Sequence, residues 1–519
     1  MEPVADAGRS APTPRRRRPS LSWRRAIVGA ALAGTAVGCT HGDPSPAAKP
    51  VVSSSTPAAV SAIPSPVTAP ARPSTPDDPL TIVDARTPAE ATTRLSELLF
   101  SASEGVVLTD LATLPFAARW AAAYRLPLLV VPPDSDPPVE ELSRLGARWA
   151  VAVGSADAAG LPRRDLPPVS GQPPPYRTDV VVLVDPDAQP VATAAAAAAA
   201  AAGVPVVTVT GGDPRTDPVV VGELARLRPT HVIAIGAEFG PEPVLASRVA
   251  VAVTGRQLPG GGQVIFPGRR FVALYGHPGT AALGVLGAQD VPASVRRAQE
   301  LADRYQALSD VPVIPAFEII AAVAQRSPGA DGNYTAESDP TELQPWVEAA
   351  AEAGMYVVLD LQPARADLVT LAERYESLLA FPNVGLAVDP EWALAPGQLP
   401  LQQIGSLDAA ALNRLAGWLD RFTAAHRLPQ KLFVVHQFRL SMIAHEDALR
   451  THYDNIALLI HMDGQGRPAD KEATWRSVVA AAPDGVPLGW KNFYREDHPM
   501  LDPQQTMAHR PAPLMISYQ

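Results

Sequence analysis

Asn383-Val384-Gly385-Leu386-Ala387-Val388-Asp389-Pro390-Glu391-Trp392 is a short aliphatic run that stops abruptly at two carboxylates spaced i, i+2. The run reads as a buried strand that carries Asp389 and Glu391 out of its C-terminal end. If the extended backbone continues through Pro390, strand alternation sets both acids on one side, with Trp392 beside them. Two acids and an aromatic ring at a strand mouth suit the handling of a sugar. The stretch is the fourth of eight similar runs, at 271–275, 311–317, 355–359, 384–388, 432–435, 456–460, 486–490 and 514–518. Helical patterns separate most of them, at 293–308, 343–353, 368–379, 408–426 and 471–481. Eight strand–helix units in about 250 residues are the size and period of a (β/α)8 barrel, here residues 268–519. The last strand reaches Gln519 with no helix after it, so ring closure is expected to be weakest there.

Nearly every strand of this set ends in polar side chains. They are His277, Glu318, Asp360 with Gln362, Asp389 with Glu391, His436 with Gln437, His461 with Asp463, Lys491 with Asn492, and Gln519. In such a barrel the C-terminal strand ends form one ring, where active sites lie. Eight of the ten histidines fall between His277 and His509, which concentrates titratable chemistry in this half of the chain. A lone histidine or acid at a strand end is ordinarily a cap. Coincidence over eight strands is what marks a functional mouth. Pro315, Pro345, Pro363 and Pro499 read as punctuation at strand or helix ends, and Arg439 as the partner of a nearby carboxylate.

Upstream, residues 80–262 contain an internal repeat. Gly105-Val106-Val107-Leu108-Thr109-Asp110 answers Val180-Val181-Val182-Leu183-Val184-Asp185, and Leu126 to Val131 answers Val204 to Val209. Arg144 to Gly154 answers Arg226 to Gly236. Each copy is strand, helix, strand, helix, strand with continuous apolar strands, which predicts a doubly wound parallel α/β domain. The alanine run Ala194 to Ala202, stopped by Gly203, is a strong helix. The order of acidic strand end, alanine helix and two further apolar strands resembles the type 2 cell-wall-binding repeat of Gram-positive surface proteins. That resemblance implies an anionic wall polymer as partner. Gly211-Gly212-Asp213 and Gly260-Gly261-Gly262 have no helix pattern after them and read as loops, so no cofactor is expected.

The chain begins with arginines at 15–18 and 24–25, then a short apolar run from Ala26 to Val37 closed by Gly38-Cys39. About 12 residues are too few to span a bilayer, which takes roughly 20. The ending Ala36-Val37-Gly38-Cys39 resembles a bacterial lipobox, and Trp23-Arg24-Arg25-Ala26-Ile27-Val28 a twin-arginine export signal. They imply a signal peptide over 1–39, a lipid on Cys39 (the chain's one cysteine), and attachment to the outer face of the cell membrane. Residues 40–79, rich in Pro, Ala, Ser and Thr, read as a disordered tether. With a net charge of −10, no nucleic-acid partner is expected.

The A-V-D-P-E-W strand end and the His461-Met462-Asp463 end of the sixth strand resemble chitinase-type and related glycoside hydrolase barrels. The resemblance implies Glu391 as proton donor, Asp389 as its ionised neighbour, and Asp463 or Asp360 as the second carboxylate. It implies Trp392, Trp490 and Tyr494 as sugar platforms, with Glu318, His277, His436, Gln437, His461 and Lys491 as further substrate contacts. The longer D-G-x-x-D-x-D-x-E pattern of those enzymes is absent, and Lys491 stands at the seventh-strand level. Two alternatives remain at this point. His277, His436, His461, Asp463 and Glu318 could hold a divalent metal for phosphodiester hydrolysis, as Tyr275-Gly276-His277-Pro278 faintly resembles phosphodiesterase barrels. Otherwise the barrel is a non-catalytic polymer-binding scaffold. As a whole the C-terminal region resembles an actinobacterial lipoprotein family, a resemblance that supplies no activity.

Overall fold

The computed structural model describes residues 71–166 and 176–519, and these described residues belong to one compact unit. The expected signal peptide, Cys39 and most of the expected tether lie outside the described residues. The tether's last part is corrected: Arg72–Pro73 pairs antiparallel with Phe100–Ala102, and the Ser74 amide donates to the Leu99 carbonyl. No helix of the described residues is long and apolar enough to cross a membrane.

The C-terminal half is a closed barrel of eight parallel strands. In chain order they are Arg270–Gly276, Val313–Ala324, Tyr356–Leu361, Val384–Val388, Lys431–His436, Ile456–Met462, Leu488–Asn492 and Met515–Tyr518. All eight expected runs are strands of this ring. Closure needs no eighth helix, because the first strand pairs with the last from Phe271↔Met515 to Leu274↔Tyr518 and with the second from Arg270↔Val313 onward. The expected helices form as well, with one break: 368–379 becomes Leu368–Glu373 and Glu376–Leu379. Between them the buried Tyr375 donates its hydroxyl to the Ala321 carbonyl. Two prolines are not punctuation. Pro315 pairs in register within the second strand, and Pro345 lies inside the helix Pro340–Glu352.

Strand alternation divides the barrel into two cores. Phe271, Ala273, Ala316, Tyr356, Val358, Leu432, Val434 and Leu459 pack inside the ring. Leu274, Phe317, Val357, Leu386, Val435, Ile460 and Trp490 pack outward against the helices. Continuing the inward parity towards the C-terminal ends replaces the apolar set by Tyr275, Glu318, Asp360, Asp389, His436, His461, Lys491 and Ser517. The interior is thus apolar at its floor and polar at its mouth. Gly489 is required for this layer, since a Cβ there would lie 2.0 Å from Nδ1 of His461.

The upstream region departs from the expected single sheet. Strands Gly105–Thr109, Leu128–Val130 and Trp149–Val153 form one parallel sheet; Val180–Val184, Val206–Thr208 and His231–Ile235, joined by Leu80–Val83, form another. In both, the first strand of the copy lies between the other two, so the repeat holds while the sheets are separate. The reason lies in the alanine helix Val191–Ala202. Ala195, Ala198 and Ala199 pack with Leu95, Val106 and Val182, and Ala194 and Ala201 pack with Ala117, Leu128 and Trp149. Small side chains on all faces let this helix sit buried among elements of both copies. Asp110 and Asp185, matched between the copies, each pin loops: Asp110 accepts from Thr113 and Ser155, Asp185 from the amides of Asp187 and Gly211.

Arg215 and Arg248 join this region to the barrel. The buried Arg215 guanidinium pairs with Asp213 and, at 3.0 Å, with Oδ1 of Asp454, just ahead of the sixth barrel strand. Arg248 pairs with the same Asp454 oxygen at 2.7 Å.

Candidate active site

The barrel mouth opens into a cavity of ≈ 290 Å³ lined by Asp389, Glu391, Trp392, Asp463, Lys491 and aromatic residues Tyr275, Phe438 and Phe493. Asp389 and Glu391 both reach the cavity, but not along the extended backbone expected through Pro390, where the strand has already ended. Asp389 caps a single turn over Pro390–Trp392 and accepts the Glu391 amide at 3.0 Å, so the chain turns sharply and both acids face the cavity.

Directly beneath lies a row of buried ionisable groups. His436 is fully buried, its Nδ1 2.9 Å from Oδ2 of Asp463 and its Nε2 3.0 Å from Oε1 of Glu318. Burial alone would push this imidazole down, but the two carboxylates outweigh it and hold its pKa well above the ordinary value. In return, both acids stay below their usual range despite burial, Glu318 through the charge of His436 and Asp463 through its hydrogen bond. Asp360 accepts from the Tyr275 hydroxyl at 2.8 Å, and its carboxyl is raised by burial. His461 is neutral: burial pulls it down to about 3, and its Nε2 lies 2.7 Å from the Ser517 hydroxyl. Lys491 sets its ammonium 3.3 Å from the centre of the Tyr275 ring, a cation–π contact that neutralises part of the cluster.

The two cavity acids of the fourth strand are both raised. Asp389 goes well above its usual value through burial and then the neighbouring Asp463 charge; Glu391, less buried, goes up to about 7 for the same two reasons. This corrects the expectation that Asp389 is the ionised neighbour. Asp463 takes that role, because His436 pairs with it and not with Asp389. Close carboxyls cannot all ionise, and the one with the cation keeps the charge.

Asp389, His436 and Asp463 bring one potential ligand atom each within 4.8 Å of one another. Both ring nitrogens of His436 face carboxylates at hydrogen-bond distance, which suits a doubly donating imidazolium with no lone pair to give. The trio therefore reads as an ion-pair network. Oδ1 of Asp463 and Oε2 of Glu318 are buried without a protein donor, so unspent acceptor capacity remains around the cavity.

Several expected substrate contacts are elsewhere. Trp490 is fully buried on the outer face of the barrel, its Nε1 bonded to Asn492 and its ring packed against Trp475 and His509. Its parity is opposite to that of Lys491, so it cannot reach the cavity. Tyr494 lies beside a separate small cavity, under the Arg297 guanidinium at 5.1 Å. His277 orders its own turn, accepting the Gly279 amide and meeting Ser338. Gln437 is buried against Glu446. Arg439 forms no carboxylate pair among the described residues; its guanidinium lies 5.8 Å from the Phe438 ring.

Sequence reasoning missed Tyr275, Ser517, Phe438 and Phe493. The first two were available from parity, since Ala273 and Met515 face inward two residues earlier. The Phe493 position depends on Asp497, which accepts its amide while bonded to the buried Lys471, a tie with no sequence pattern. Comparison with protein families, curated proteins and solved structures returned no match, so the reading of the site rests on its geometry.

Proposed function

We propose that the barrel hydrolyses an envelope glycan, with Glu391 as proton donor and Asp463 as the ionised carboxylate. The observation that carries this reading is that both acids line one cavity while their surroundings push them apart, Glu391 up to about 7 and Asp463 below its usual range. A glycosidic oxygen needs a proton as its bond breaks, and the sugar carbon gains positive charge. Glu391 gives its proton to the leaving oxygen as the glycosidic bond breaks, Asp463 faces the positive carbon, and water forms the new bond to that carbon, its released proton restoring the Glu391 carboxyl. His436 holds Asp463 ionised, and Glu318 holds His436 charged from behind. Asp389 fixes the Glu391 turn through the backbone and stays neutral, so it does not compete for the role of anion. Trp392, half-buried at the cavity rim, offers a ring for a sugar face.

Within the same proposal, a lipid on Cys39 attaches the protein outside the cell membrane and the α/β region binds a wall polymer. Membrane fractionation of Cys39→Ala checks the first: unchanged processing and fractionation remove it. The hydrolase is tested by reducing-end release from purified wall glycan. Glu391→Gln should lower turnover at least ~100-fold while leaving glycan binding in place. Turnover abolished by a chelator but untouched by Glu391→Gln would instead mean metal chemistry. Binding without turnover in the wild type would mean a silent scaffold.

A further inference from the structure

A second cavity of ≈ 400 Å³ adjoins the first and shares Glu391 and Trp392 with it. Its far wall is the loop 393–405, which returns to its own start: the Gly405 amide donates to the Glu391 carbonyl at 2.6 Å. Gly405 fits there because a Cβ would meet the carbonyl oxygens of Ala393, Pro390 and Glu391 at 2.2 to 2.6 Å. The closure thus ties the loop to the proton donor. Leu394, Leu401 and Ile404 give the cavity an apolar lining, to which Arg439 adds a guanidinium.

This arrangement, read on the hydrolase proposal, has a direction. A proton donor sits beside the oxygen that leaves, so the sugar on one side of that oxygen and the group on the other must occupy the two cavities that meet at Glu391. Asp463 lines only the first, which makes that cavity the home of the sugar whose carbon is attacked. The second then holds the leaving group. Their charges differ as well. The first is lined by the ionised Asp463 and by Glu496 against Lys491, with Asp389 neutral, whereas Arg439 is the one cation lining the second, with Glu391 as its one acid.

We propose that the loop 393–405 and Arg439 form a leaving-group subsite for an acidic sugar, whose carboxylate or phosphate oxygens pair with the Arg439 guanidinium. Such a fork binds planar or tetrahedral oxyanions through paired N–H donors, and an anion would be repelled from the first cavity. The apolar loop side chains meet the C–H face of the sugar ring.

The test uses the full chain carrying Glu391→Gln, so that ligands are bound and not consumed. Its affinities are measured for neutral, uronate-bearing and phosphate-bearing oligosaccharides, with and without Arg439→Leu. One anionic class should bind at least ~10-fold more tightly than neutral sugars, and Arg439→Leu should erase that preference while Arg439→Lys keeps part of it. Which class responds distinguishes carboxylate from phosphate. Equal affinity for neutral and anionic sugars, or a preference that survives Arg439→Leu, overturns the subsite. If the wild type still cleaves a neutral glycan, the hydrolase reading stands without it. Failure of every form to bind any oligosaccharide sinks both.

Discussion

Glu391→Gln should make the folded protein more stable at alkaline pH even as it removes turnover. Burial and the neighbouring Asp463 charge carry the Glu391 carboxyl from 4.5 to about 7. At about 1.36 kcal/mol per pH unit, that gap corresponds to about 3 kcal/mol between the two protonation states. The folded state holds this proton more tightly than the unfolded chain does. Wild-type stability from this group is therefore fully present below pH 4.5 and is lost as pH rises through about 7. Glutamine has no charge to bury and suffers no such loss. Urea denaturation at pH 4 and pH 8 reads the difference. The two proteins should match at pH 4, and the variant should be more stable by about 3 kcal/mol at pH 8. A difference that does not change with pH, or a wild type that is the more stable at pH 8, refutes the reasoning that Glu391 is held protonated.

His436→Asn should destabilise the protein by about 3–5 kcal/mol in urea at pH 7, because it leaves the buried Glu318 and Asp463 carboxylates facing each other without their cation. Trp490→Ala should cost about 3–5 kcal/mol of stability through an outer-core cavity. Trp392→Ala should cost little stability and reduce glycan retention on affinity electrophoresis; the opposite pattern would return Trp490 to the site. Arg215→Met should lower the urea midpoint by removing the buried cation that Asp213 and Asp454 share, and an unchanged midpoint would mean that this clasp holds nothing together.

The barrel was legible because its signal is local. Each strand is a continuous aliphatic run, and a parallel ring covered by helices imposes that on all eight. The mouth was half legible. Asp389, Glu391, Asp463 and Lys491 stand at strand ends and do line the cavity. Choosing aromatic residues by proximity in sequence failed at Trp490, where the parity fixed by Lys491 puts the ring on the outer face. Protonation states were not legible at all. Whether Asp389 or Asp463 stays ionised depends on which one meets the Nδ1 atom of His436, a contact between the ends of two neighbouring strands. In the upstream region the repeat was visible in strand order. Its division into two sheets was not, because the alanine helix that separates them is equally at home against a sheet or between helices.

The central claim is that a carboxyl in the barrel mouth carries a proton near neutral pH and can deliver it. Carbon-13 NMR of protein labelled at the glutamate side-chain carboxyl carbons, recorded from pH 4 to pH 9 and compared with the Glu391→Gln variant, measures this without any substrate. The account predicts one resonance that titrates near pH 7 in the wild type and is missing from the variant. A Glu391 resonance that titrates below about pH 5, as an ordinary exposed glutamate does, would contradict it.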